Sequence, residues 1–283
     1  DARRPDNVEV RVLEVGSPES IGEAFARDQY HVLYLTCHGS PPSETHPNGT
    51  LLLEDELGGE IHSTPADLVM AIHGNAGGRR LPLVILNACH TGVSAEQSAS
   101  FAGALLEAGV ESVLAMQTSV SDRYATELAT EFFRALSGMG RPRPAVALAQ
   151  ARRACETRRL ERLNAASPLS ESAIQDVHPE YATATLYVRG DDQVLADFDA
   201  TKEPLRARSV LDLGGPVLQL DMEDLVGRRV QLRETLQTLR EPPQGVAGVI
   251  LTGIGGIGKS ALAGRAMRRM AESGYAIAAT VGR

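Results

Sequence analysis

Two apolar runs, each ending in a reactive side chain followed by small residues, constrain this chain more than any other feature of it. The first is His31-Val32-Leu33-Tyr34-Leu35-Thr36, continuing into Cys37-His38-Gly39-Ser40. The second is Leu81-Pro82-Leu83-Val84-Ile85-Leu86, continuing into Asn87-Ala88-Cys89-His90-Thr91-Gly92. Short apolar runs bounded by turn residues read as buried parallel strands, and the loops past their carboxyl ends are where α/β sheets place chemistry. A histidine at one tip and a cysteine at another can then be neighbours in space while lying far apart in sequence.

The rest of the chain supplies the helices such a sheet needs. Val8 to Val15 alternates apolar and charged residues, which predicts a half-exposed strand, and Ser17-Pro18 opens a short helix through Ala26. A Pro- and Ser-rich loop over 40–49 leads to Leu51-Leu52-Leu53 and Gly58-Gly59-Glu60-Ile61, read as a hairpin. Residues 64–73 predict a helix with Thr64 as N-cap and Pro65 at its first position, and 74–80 a loop. Phe101, Leu105 and Ala108 have helical spacing, with Gly109 as the C-cap glycine. Val113–Met116 is the next strand, and Asp122 opens a helix carrying Tyr124, Leu128, Phe132 and Leu136. A helix over about 144–163 and a strand over Ala184–Val188 close the pattern. Strands alternating with helices imply an α/β fold, a mostly parallel sheet covered on both faces.

Composition narrows the function classes. A net charge of −8, from 28 basic and 36 acidic residues, gives no basic surface for nucleic acid or anionic membrane, and neither is expected as a partner. No apolar stretch reaches membrane-spanning length. Three cysteines are too few for a disulfide framework, which points to a reducing, cytoplasmic setting. The polar start, Asp1-Ala2-Arg3-Arg4-Pro5, reads as a piece of a longer protein.

A thiol is nucleophilic as thiolate, and an imidazole beside it takes its proton or stabilises the ion pair. Cys89 is thus the candidate nucleophile and His38 its base, later the acid that protonates a leaving amine. The backbone N–H groups of Gly39 and Cys89 are candidates for the oxyanion hole, a glycine after the histidine allowing the substrate to approach the backbone closely. The competing reading makes Cys89 a buried filler and His38 a hydrogen-bonded core residue. Cys37 projects the opposite way from His38, into the core, and Cys155 reads as structural. His90, adjacent to Cys89, diverges from it on an extended segment and is not the expected base. A zinc site of Cys37, His38, Cys89 and His90 lacks the paired ligand spacing of structural zinc.

The strand-tip motifs over 31–40 and 83–92 are followed by Ser100-Phe101-Ala102-Gly103-Ala104-Leu105-Leu106-Glu107-Ala108-Gly109-Val110 and Val120-Ser121-Asp122. Glu131–Leu136, Ala145–Arg152 and His178-Pro179-Glu180-Tyr181-Ala182 continue the pattern. Together these resemble the CHAT domain family, caspase-like peptidases of the separase and metacaspase superfamily, over about 8–190. The resemblance implies a caspase-like sheet, a His38–Cys89 dyad and proteolysis of a protein or peptide substrate, with no cofactor for that step. Relatives that cut after Arg or Lys carry Asp two positions before the cysteine. Here Asn87 stands there, without the charge that holds a basic side chain. Gln117 replaces an aromatic that relatives show after the fourth strand. Asn87, Gln117 and Asp122 are the candidate substrate-pocket residues, Asp122 doubling as a helix N-cap candidate.

A second motif lies downstream. Gly253-Ile254-Gly255-Gly256-Ile257-Gly258-Lys259-Ser260 follows the apolar run Val246–Leu251, read as a strand, and a helix through Leu239. The pattern is that of a Walker A loop, with Gly253, Gly255, Gly256 and Gly258 around phosphate, Lys259 on the β/γ-phosphates and Ser260 on Mg²⁺. Val226-Gly227-Arg228 upstream resembles the start of STAND or NB-ARC regulatory ATPases. The expected organisation is a CHAT peptidase domain over 1–190, a linker over 191–221 and the start of a P-loop NTPase over 222–283. No Walker B carboxylate follows, so this stretch is expected to bind ATP/Mg poorly and not to hydrolyse it. The combined expectation is an endopeptidase effector regulated in cis by an NTPase, oligomeric on activation, acting in bacterial defence or regulated cell death, its basal activity held off. The alternative is an idle CHAT scaffold serving as an interaction module for the ATP-binding switch.

Overall fold

The computed structural model describes residues 8, 10–13, 16–54, 59–74, 81–93, 99–165, 179–198, 228–240, 244 and 248–272. The chain divides into two units, Asp1–Thr201 and Lys202–Arg283. In chain order the first contains α1 (Pro18–Arg27), β1 (Val32–Thr36), β2 (His38–Ser40), β3 (Thr50–Glu54), β4 (Glu60–Ser63) and α2 (Pro65–His73). It continues with β5 (Leu83–Asn87), α3 (Phe101–Glu107), β6 (Ser112–Met116), α4 (Asp122–Ser137), α5 (Pro144–Ala165) and β7 (Ala184–Val188).

The main sheet has the order β1-β5-β6-β7. β1, β5 and β6 run parallel, and β7 returns antiparallel to β6. Alternation along the strands divides the core between two faces. Leu35, Val84, Leu86, Val113 and Ala115 pack with α1, α2 and α3 through Ile21, Leu68, Ile72, Phe101 and Leu105. Leu83, Ile85, Leu114 and Met116 pack on the other face with Leu128, Phe132, Ala147 and Ala151 of α4 and α5. A mostly parallel sheet covered by helices on both faces is the architecture expected from the sequence.

Local signals account for the helix starts. Thr64 and Asp67 form a capping box, Thr64 Oγ1 accepting from the Asp67 N–H and the Asp67 carboxylate from the Thr64 N–H, with Pro65 at N1. Ser17 and Ser100 cap α1 and α3, and Gly109 takes φ +108° just past α3, a conformation that favours glycine.

Several expectations need correction. The described residues 8 and 10–13 are not in a strand, and Val8, Val10 and Val12 are exposed; a strand exists only through its ladder, and no described strand pairs with this stretch. The expected hairpin is there as β3 and β4, but residues 38–40, read as the tip of the first strand running into the loop over 40–49, form a separate strand, β2, and make it a three-stranded antiparallel sheet. Ser121, not Asp122, caps α4, accepting from the Tyr124 N–H; Asp122 is the first helical residue. Residues 191–198, expected as the start of a linker, pack on the first unit. Leu195 is buried in the core and its N–H donates to the Pro142 carbonyl at 2.9 Å. Residues 75–80, most of the loop expected over 74–80, and the rest of the linker lie outside the described residues.

In the second unit, α6 (Arg229–Arg240) and α7 (Lys259–Glu272) pack through Leu232, Leu236, Leu262, Ala266 and Met270. Residues 248–251 of the expected strand are irregular; no described segment of this unit offers them a ladder.

Candidate active site

The register of β1 against β5 runs Val32 with Leu83, Tyr34 with Ile85 and Thr36 with Asn87. Two residues further on each strand come His38 and Cys89. At Cys37 the chain crosses from the main sheet to the smaller one, where His38 pairs with Leu52 and Gly39 with Leu51. His38 therefore sits on an ordered strand rather than in a free loop. The backbones meet closely here: a Cβ on Gly39 would stand 2.1 Å from the Cys89 carbonyl oxygen and 3.3 Å from the Thr91 methyl. Only glycine lets the strand bearing His38 lie this close to the Cys89 turn.

His38 is exposed and Cys89 half-buried. The other cysteines differ. Cys37 packs against the core, and burial pushes its thiol up to about 12. Cys155 is buried on α5, where burial first and then Glu127 push it up to about 11. Both hold their protons at neutral pH.

The turn that carries Cys89 is fastened on three sides. The Thr91 hydroxyl donates to the Ala88 carbonyl at 2.9 Å and accepts from the Met116 N–H of β6 at 3.2 Å. The Gly92 N–H donates to the Met116 carbonyl at 2.9 Å, and the Ala102 N–H of α3 to the Thr91 carbonyl at 3.1 Å. From β7, the Tyr187 hydroxyl donates to the Gly92 carbonyl at 2.9 Å. His90 has φ +60°, among the described residues the one side chain-bearing position in the left-handed region. Its Nε2 shares a hydrogen bond with Ser119 Oγ at 2.9 Å. The His90 ring is thereby tied to the loop after β6.

The three expected pocket residues do not share one lining. Asn87 borders a narrow crevice between the sheet and α4, with Tyr34, Ile85, Met116, Leu128 and Phe133 among its walls and, among the described residues, no charged side chain in it. The Asn87 amide donates to the Tyr34 hydroxyl at 2.9 Å. Gln117 turns the other way, its side-chain amide donating to Tyr187 and its backbone N–H to the Thr183 carbonyl at 2.8 Å. Asp122 is exposed at the start of α4. Tyr34, Ser119 and Tyr187, which bond to Asn87, His90 and Gly92, are neighbours of the candidate site that sequence reasoning missed. Each is a lone polar tip in an apolar or loop segment, a pattern without a distinguishing signal.

In the second unit residues 253–258 form a loop running into α7, which starts at Lys259. Gly253, Gly256 and Gly258 have φ of +149°, +77° and +93°. Lys259 Nζ reaches back to donate to the Gly253 and Ile254 carbonyls at 2.9 Å each, and Ser260 is exposed. The Arg228 guanidinium donates to the Ile257 carbonyl at 2.9 Å.

A family model described as the CHAT domain matches residues 2–175, more than half of the chain. It ends before β7 and does not reach the glycine-rich loop. No curated protein matches the chain. Among the described residues, no helix is long and apolar enough to cross a membrane.

Proposed function

This chain belongs to the CHAT domain family, a family related to caspase-like cysteine peptidases, and from that premise we propose that it is a cysteine endopeptidase with His38 and Cys89 as its dyad. The observation that carries the reading is the contact of Gly39 with the Cys89 carbonyl, which brings the residue after the histidine against the cysteine itself. In the proposed reaction His38 takes the Cys89 proton and the thiolate attacks the scissile carbonyl carbon. The N–H groups of Gly39 and Cys89 receive the developing oxyanion. As the C–N bond breaks, His38 returns the proton to the leaving amine, and a thioester remains on Cys89. Water deprotonated by His38 then hydrolyses the thioester and restores the thiol.

The same reading assigns the crevice beside Asn87 to the substrate residue at the cleaved bond. A neutral amide already bonded to Tyr34, among apolar walls, favours an uncharged apolar side chain over Arg or Lys. The Gly253–Ser260 loop fits a nucleotide phosphate in its glycines of positive φ at the start of a helix and in a lysine folded over it. There the N–H groups of Gly255, Gly256, Gly258 and Lys259 would hold phosphate oxygens, with Gly253 at the loop's first turn and the Ser260 hydroxyl directed to Mg²⁺. A cytoplasmic effector under nucleotide control, in bacterial defence or cell death, follows from this combination as part of the proposal.

The test is labelling with thiol-reactive peptidyl probes that differ only at the residue bound beside the thiol. Labelling by a Leu or Met probe is expected in the wild type, in Cys37→Ala and in Cys155→Ala, and is expected to vanish in Cys89→Ala. An Asn87→Asp variant is expected to gain labelling by an Arg probe. A wild type inert to every probe, also with ATP present, contradicts the peptidase reading and favours an interaction module.

A further inference from the structure

Among the contacts that fasten the turn bearing Cys89, one comes from a side chain of the last strand, Tyr187. We propose that Tyr187 is a positioning residue for Cys89, its hydroxyl setting the turn's height above the sheet, with Gln117 fixing the direction in which that hydroxyl points. The inference rests on the dyad reading above. It reassigns Gln117 from substrate contact to support.

Three observations carry it. The Tyr187 hydroxyl donates to the Gly92 carbonyl at 2.9 Å and accepts from the Gln117 amide, so its one proton is directed toward the turn. Gly92 is buried, and a Cβ there would stand 2.9 Å from the Tyr187 oxygen and 3.1 Å from Gln117 Nε2; the turn is pressed against this pair. The ring of Tyr187 packs against the core cluster that contains Ala88, the residue just before Cys89. The phenol is thereby fixed to the same rigid body as the base of the turn. A hydrogen bond to a buried carbonyl, itself oriented by a second donor, is a stiff connection. It acts three residues from the sulfur, where a displacement would open the gap to His38.

Tyr187→Phe removes the hydroxyl and leaves the ring in place. The readout is the second-order rate of Cys89 carbamidomethylation by iodoacetamide at pH 7, followed by mass spectrometry, beside kcat and KM on a peptide substrate. The dyad reading expects His38→Ala to slow alkylation of Cys89. In Tyr187→Phe the alkylation rate is expected to fall toward that of His38→Ala, with kcat falling about tenfold and KM little changed, the scale of one lost oriented hydrogen bond. Gln117→Ala is expected to slow alkylation in the same direction by less. A merely structural phenol would lower the melting temperature and leave the alkylation rate alone. An alkylation rate that His38→Ala slows and Tyr187→Phe leaves unchanged overturns the positioning role and leaves the dyad standing. A rate that His38→Ala does not slow overturns the dyad and the positioning role together.

Discussion

At the scale of single residues, the approach of the two strand tips depends on a missing methyl. Gly39 adopts ordinary extended backbone, so its value lies in what a side chain would strike: the Cys89 carbonyl oxygen, 2.1 Å from the Cβ position. Backbone cannot rotate aside as a side-chain tip can, so Gly39→Ala must part the two strand tips. A displacement near 1 Å at a reacting centre costs about a hundredfold in rate. Gly39→Ala is expected to lower kcat on that scale, measured on any peptide the wild type cleaves, while Gly16→Ala, with nothing near its Cβ position, is expected to leave it unchanged. The sequence reading has Gly39 admit a substrate to the backbone, whereas the space at its Cβ position is taken by the Cys89 carbonyl; residue type and strand-end position single out His38 and Cys89 only as candidates. The partner of the close approach was not legible in the sequence. Which backbone Gly39 would touch depends on the register of β1 with β5, which no local pattern encodes.

At the scale of elements, α4 and α5 form the helical layer over one face of the sheet, and a buried carboxylate ties them. Glu131 on α4 is 8% exposed and accepts from Arg134 on its own helix and Arg158 on α5. Burial pushes this carboxyl up, but the two guanidiniums outweigh burial and hold it below its ordinary 4.5. A carboxylate with a lowered folded-state pKa stabilises the fold above its unfolded pKa, and that contribution is lost as pH falls through the folded value. Glu131→Gln is therefore expected to lower the melting temperature at pH 7. It should also flatten the decline of melting temperature below about pH 4.5, because the group that titrates there is gone. A parallel acid decline in both proteins would contradict this. Helix starts were readable because Thr64, Ser17 and Ser100 carry their capping chemistry in the adjacent residues. β2 was not readable: three residues, His38–Ser40, are too few for periodicity and owe their conformation to β3. The start of α4 was displaced by one residue because Asp122 and Ser121 are both good caps. Ser121 has the further contact, its N–H and hydroxyl donating to Glu180 at 2.5 and 2.6 Å.

At the scale of the molecule, the family match stops at residue 175, but the sheet is complete only at Val188. β7 closes the β6 edge, carries Ala184 into the core and brings Tyr187 to the Cys89 turn. Residues 191–198 then pack back on the same unit. A piece ending at residue 201 is expected to fold cooperatively, whereas one ending at residue 178 is expected to expose the β6 edge and aggregate. Comparable melting curves for the two would contradict this. The alternation of strand and helix made the covered parallel sheet readable across the chain. The docking of 191–198 was not, because a stretch of mixed charge without period can pack as well as link. The most direct test of the central claim compares peptide cleavage by the wild type, Cys89→Ala, His38→Ala and His90→Asn, the last chosen because Asn tolerates the left-handed backbone at that position. Cleavage lost in the first two variants and retained in His90→Asn is the predicted result. Cleavage that survives His38→Ala, or that disappears with His90→Asn instead, would contradict the account.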